Sequence, residues 1–313
     1  MFVSIFLAGG VDALSVLAPV DDPLYRKLRP TLAIGPSDST PFTEDARLRW
    51  HPSAGSFAAL HDAGKVTTFP GIGYTSPDMS HFTSRHYWEV GATETSVVTG
   101  WLGRYLDVAG SPTNPLQGLS MDGQMNPTLA TARNPVAAID KPEDFSLWLD
   151  GVWGDIFTMT LDSASALGEV QRRAADPALA QVAEAASEVG IVRRALASFR
   201  DANGSAAYHS PVAYPTSADS DFPQRLAGLA AMIAAGLPLR CVALTTDTRF
   251  DPHSSQKTFD TGLALAADAI AAFQADLEAR GVADRVLVHV WSEFGRRAEE
   301  NGSRGTDHGG DGA

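Results

Sequence analysis

The apolar residues of the chain recur in two periods, and each period predicts its own set of elements. Short runs rich in β-branched and aromatic residues predict strands at residues 2–8, 66–69, 117–121, 239–246 and 285–291. Spacing of three and four residues predicts helices at 56–63, 99–108, 178–200, 222–235 and 261–280. On the 178–200 helix, Val182, Ala185, Val189, Val192 and Leu196 fall on one side. Asp22-Pro23 opens a short helix through residues 25–28, with proline suited to a first turn. Asp78 or Ser80 caps a helix running to about Val90. Gly9-Gly10 break the first strand, 11–19 is loop, and 71–77 is a turn-rich loop. From 110 to 160, Pro, Asn, Gly and Asp predict loops and short helices decorating a core. The second half alternates helix and strand, which implies a parallel sheet with crossover helices. With no internal repeat, the simplest organisation is a single α/β domain with a loop-rich insertion around 110–175.

Composition narrows the partners. The 313 residues suffice for one large domain or two ordinary ones, and 44% hydrophobic with 19% charged residues suits a globular protein. A formal charge of −13 disfavours nucleic acid and anionic lipid. It leaves an anionic substrate open, because bound cations reverse the local field. Cys241 is the single cysteine, so no disulfide forms within the chain; its apolar run predicts a core position. No apolar run approaches the ~20 residues of a membrane span. The apolar start, Phe-Val-Ser-Ile-Phe-Leu, lacks a basic leader and a cleavage site, so it predicts a buried strand, and a chain beginning on a core strand suggests an incomplete gene product.

The candidate chemistry lies where strands end. Asp12 follows the first strand; Asp247, Asp251 and His253 follow 239–246; Glu293 follows 285–291. Asp307-His308 come one loop later. Ligands bind beyond the carboxyl ends of strands in open parallel sheets, so these groups are expected to converge on one rim. Gathered carboxylates and imidazoles are ligands for zinc, manganese and similar divalent ions, and a cation keeps such carboxylates ionised. Each has a plainer reading: Asp12 and Asp251 as turn caps, Glu293 paired with Arg296 or Arg297, Asp307-His308 as loop, His289 as a core or face histidine. Spacing does not separate Asp247 from Asp251. Ser80, at a helix start whose free N–H groups suit an anion, is a candidate nucleophile or an ordinary N-cap. Gly9-Gly10 lacks the third glycine of a dinucleotide fingerprint.

Taken in order, Gly9-Gly10-Val11-Asp12, Ser80-His81-Phe82, Thr99-Gly100-Trp101-Leu102-Gly103-Arg104, Asp251-Pro252-His253, Ser292-Glu293-Phe294-Gly295-Arg296 and Asp307-His308-Gly309 resemble the domain of unknown function 1501 family, of the alkaline phosphatase and sulfatase-like superfamily. The resemblance spans nearly the whole chain. It implies a three-layer α/β sandwich around a mostly parallel sheet, alkaline phosphatase-like. It also implies one or two divalent metals (zinc, manganese, magnesium or calcium) and hydrolysis of small phosphate or sulfate esters. Asp12, Asp251, His253, Glu293, Asp307 and His308 would be ligands and Ser80 the nucleophile. Phe294 stands where phosphatase relatives carry histidine, which implies that one metal position is weak, or that the protein is a catalytically silent binding or assembly partner. The family also suggests export, and its members usually continue beyond the point where this chain stops.

Overall fold

The structure is a computed structural model that describes residues 1–145, 151–152, 154–171 and 176–310. In chain order the strands are β1 (Phe2–Phe6), β2 (Leu17–Ala18), β3 (Thr40–Pro41), β4 (Arg49–Trp50), β5 (Gly118–Ser120), β6 (Ala137–Ala138), β7 (Cys241–Thr245), β8 (Leu287–Trp291), β9 (Arg296–Glu300) and β10 (Thr306–His308). The helices are α1 (Pro23–Leu28), α2 (Gly55–Asp62), α3 (His81–Val90), α4 (Trp101–Ala109), α5 (Gly154–Gln171), α6 (Pro177–Leu196), α7 (Phe222–Ala234) and α8 (Lys257–Ala279). Among the described residues no helix is long and apolar enough to cross a membrane.

The protein is α/β, with a parallel five-stranded sheet ordered β6-β5-β7-β1-β8. β1 pairs β8 from Phe2↔Leu287 to Phe6↔Trp291, and β5 pairs both β6 and β7. Val3, Ile5, Val242 and Leu244 are each wholly buried. Burial on both faces of a parallel sheet explains why β1 and β7 are continuous apolar runs rather than alternating ones. Cys241 is buried in β7 as expected, and burial pushes its thiol up to about 11.

Contacts divide the chain into two compact units. One holds Thr99–His209 and Ala231–Ala243 with Met1; the other holds Phe2–Val98, Ser210–Ala230 and Leu244–Ala313. In the first, α5 packs along α6 through Gly168 and Gly190, where a Cβ would meet the Ala183 carbonyl and the Ser165 hydroxyl. In the second, Phe259, Leu263, Ala266, Ile270, Phe273 and Leu277 form the buried stripe of α8. That unit also carries the antiparallel ribbon β9–β10 and the small sheet β2-β4-β3.

Three expectations change. Residues 66–69 are not a strand: the run stops at Pro70, Phe69 is exposed, and no neighbouring strand pairs with it. The loop-rich insertion expected around 110–175 contains the 18-residue α5. Its outward positions mix Ile156, Met159, Leu167 and Val170 with polar residues, so no clean polar face marked it as a helix. α8 begins at Lys257, four residues before the predicted 261.

Candidate functional site

Every candidate residue lies in the second unit: the ligand candidates at the carboxyl ends of β1, β7 and β8 and on β10, and Ser80 at the start of α3. Two glycines shape the floor. Gly9 (φ +125°) passes so close to the Phe250 backbone that a Cβ would sit 2.7 Å from it, and Gly10 (φ +72°) faces the Phe294 ring. Both conformations favour glycine. The turn they make lets the Gly9 N–H donate to both Glu293 carboxylate oxygens, at 2.9 and 3.1 Å.

Three histidines surround Asp251, and each spends its Nδ1 proton on an acceptor. His81 Nδ1 donates to Glu293 Oε1 at 2.8 Å, His308 Nδ1 to the Met79 carbonyl at 2.9 Å, and His253 Nδ1 to Asp307 Oδ1 at 3.2 Å. Those acceptors fix the ring orientations through Nδ1 and leave each Nε2 facing the centre of the group. All three Nε2 atoms turn to the same carboxylate. His81 Nε2 is 3.4 Å from Asp251 Oδ2; His253 Nε2 and His308 Nε2 are 3.1 and 3.3 Å from Oδ1. His253 and His308 bring their Nε2 atoms within 3.1 Å of each other. Two imidazole lone pairs at that distance repel unless a proton or a cation lies between them. His81 Nε2 is buried with no hydrogen-bond partner. His81, Asp251 and His308 each offer a ligand atom, all within 4.8 Å of one another, and His253 adjoins them.

This donor set fits a divalent ion. Imidazole with one carboxylate suits zinc and its neighbours, and a ligating histidine commonly gives its other ring proton to a carboxylate or carbonyl. Glu293 is such an acceptor for His81: it is 2% exposed and its oxygens already accept from Gly9, Ser292 and His81. Asp307 likewise holds His253 and accepts from Asn301. Both carboxylates thus lie behind a histidine as acceptors from its ring, and neither is in the His81, Asp251 and His308 group. The Asn301 and His253 hydrogen bonds hold the Asp307 carboxyl below its ordinary range.

Arg296 ties the floor together. Its buried guanidinium donates to the carbonyls of Gly9, Gly10, Phe250 and Thr306 and to Asp251 Oδ1. Burial opposes ionisation of Asp251, but the Arg296 hydrogen bond and charge, with His253 and His81, outweigh it and lower its pKa. Phe294, 2% exposed, lays its ring 4.8 Å from both His81 and His308 as an apolar wall.

Asp12 is placed elsewhere. Its carboxylate takes a bidentate pair from buried Arg29, at 2.6 and 2.7 Å, plus bonds from Ser15 and Gln256. Both its oxygens are engaged, and it is not in the His81, Asp251 and His308 group. Asp247 is separated from Asp251 by its partners: it accepts from Ser220, Phe222 N and Arg225 at the start of α7. His289 sits on β8 against Phe2 and Trp291, a face histidine whose pKa burial lowers. Ser80 is the N-cap of α3, its Oγ accepting from Thr83 N at 3.4 Å. His81 was visible only as the neighbour of Ser80, and nothing in the sequence pairs Arg296 with Asp251 or Arg29 with Asp12.

Fold and site define an α/β protein with a histidine–aspartate cluster at the rim of a parallel sheet. The chain belongs to the family described as "Protein of unknown function (DUF1501)", whose model matches residues 51–313. That span includes His81, Asp251, His253, Glu293 and His308 and leaves out Asp12. No curated protein and no solved structure matches the chain.

Proposed function

We propose that the protein is a metal-dependent hydrolase of phosphate or sulfate esters, with one divalent cation held by His81, Asp251, His253 and His308. The observation that carries this is the convergence of three imidazole Nε2 atoms on one carboxylate. A divalent ion there supplies Lewis-acid polarisation of an ester oxygen. The chain's own groups do the rest. Glu293, Asp307 and the Met79 carbonyl fix the imidazole tautomers, and Arg296 keeps Asp251 ionised. Ser80, one residue before His81, is the candidate nucleophile, its hydroxyl at the positive end of α3 where an anionic ester is favoured. Asp12 has a scaffold role in this reading, and Phe294 restricts the centre to a single cation.

The test is metal content of the purified protein, zinc titration by calorimetry, and turnover of aryl phosphate and aryl sulfate esters with and without chelator. One equivalent of metal, chelator-sensitive turnover, and a Ser80→Ala variant that keeps metal but loses turnover are expected. No stoichiometric metal in any condition overturns the reading. The apolar wall of Phe294 favours a second reading, a binding or assembly protein that retains the site without chemistry. Stoichiometric metal with no turnover on any ester selects it.

A further inference from the structure

The α5–α6 hairpin presents an apolar strip. Ile156, Met159, Leu167 and Val170 are 68, 66, 61 and 76% exposed. At about 100° per residue they fall, with Ser163 and Ala166, in one arc along the whole of α5. The opposite arc, Leu161, Ser165 and Gly168, is the one buried in the hairpin. α5 therefore has two apolar faces, and only one is covered.

We propose that the outer face of α5 is a self-association surface, on which a second copy packs its own α5 antiparallel about a twofold axis at Ser163. Three observations favour a second copy. First, Asp162 and Glu169, two acids beside the strip, are paired within the hairpin to Arg193 and Arg194. Those two charges are offset before two such faces meet, so they offer a charged partner little to select. Secondly, no basic side chain lies in the strip, and the chain carries −13, so anionic lipid is repelled. Thirdly, the four side chains expose on the order of 500 Å² per copy, so a pair removes on the order of 1,000 Å², the lower bound for specific association. The glycine contacts of α5 with α6 make the face rigid before docking, which keeps the ordering cost low. A twofold contact is self-complementary by construction, and Ser163 stands midway along both the helix and the arc.

Sedimentation of the full chain between about 1 and 200 µM tests this, with a dimer expected to dissociate at about 10–100 µM. Leu167→Glu is expected to raise that constant by more than about tenfold, while Val108→Glu, at a still more exposed position on α4, leaves it unchanged. Because Leu167 is exposed, circular dichroism and melting of the variant should match the parent. Ser163→Cys gives a second readout that needs no destabilising charge: it should form a disulfide-linked dimer, and buried Cys241 does not compete. A monomer throughout the range overturns the proposal, as does a dimer indifferent to Leu167→Glu. Binding of neutral phosphatidylcholine vesicles, lost in Leu167→Glu without any dimer, overturns it in favour of a lipid surface.

Discussion

At the scale of single residues, the two strand-end aspartates differ in what surrounds them. Asp12 neutralises a guanidinium that is wholly buried, so Asp12→Ala leaves Arg29 unpaired in the interior. Loss of one partner of a buried pair costs about 3–5 kcal/mol. Denaturant melts should show that loss, while zinc affinity of the folded protein stays within about twofold. Asp251→Asn should lower zinc affinity more than about 100-fold and, because it removes the counter-charge of buried Arg296, should cost stability as well, and Glu293→Gln should cost about 10–100-fold in affinity through the His81 orientation. Asp260 makes a separate prediction. Burial, then the charge of Asp12, raises its pKa from 3.8 to about 6, and its Oδ1 has no hydrogen-bond partner. A carboxyl raised on folding contributes stability that is complete below its unfolded pKa and lost as pH climbs through its folded one. Asp260→Asn should therefore raise Tm by about 2–4 °C at pH 7 and leave it unchanged at pH 4.

At the scale of elements, caps and turns place the chemistry. Asp247 gathers Ser220, the Phe222 N–H and Arg225 at the head of α7. Asp247→Ala should destabilise the fold by about 1–2 kcal/mol, read by urea melts, with zinc binding unchanged. A drop in zinc affinity would return Asp247 to the ligand set. Of the helices and strands, the ones read correctly from sequence are those whose burial is one-sided or complete. The buried stripe of α8 and the apolar runs of β1, β7 and β8 repeat at the periods their geometry requires. α5 escaped because two of its faces are apolar, so its period is blurred. The strand expected at 66–69 failed because strand propensity is empty without a neighbour to pair with.

At the scale of the whole molecule, the proposed function links cation binding to stability, since the groups that would hold the ion come from three separated stretches of chain: His81, Asp251 with His253, and His308. The unfolded chain cannot present them together, so an ion that binds the native state stabilises it. Zinc at about a hundredfold excess over its Kd should add about 2.7 kcal/mol, seen as a Tm rise of several degrees. His308→Ala should abolish most of that rise, and Asp12→Asn should not. If parent and His308→Ala respond alike, the ion is bound elsewhere.

The sequence alone determined the α/β class, the parallel alternation of its second half, the core place of Cys241, and which strand ends bear acids and imidazoles. Periodicity and composition are local properties, and those conclusions need nothing more. Only the tertiary structure decided which strand-end groups meet. It drew His81 into the cluster, set Glu293 and Asp307 each behind a histidine, and gave Asp12 to Arg29 and Asp247 to α7. The physical reason is that a ligand is defined by its partners. Asp12 and Asp251 are the same residue type in similar turns, and what separates them is whether the space beside each carboxylate holds a guanidinium that saturates it or three imidazole nitrogens that do not.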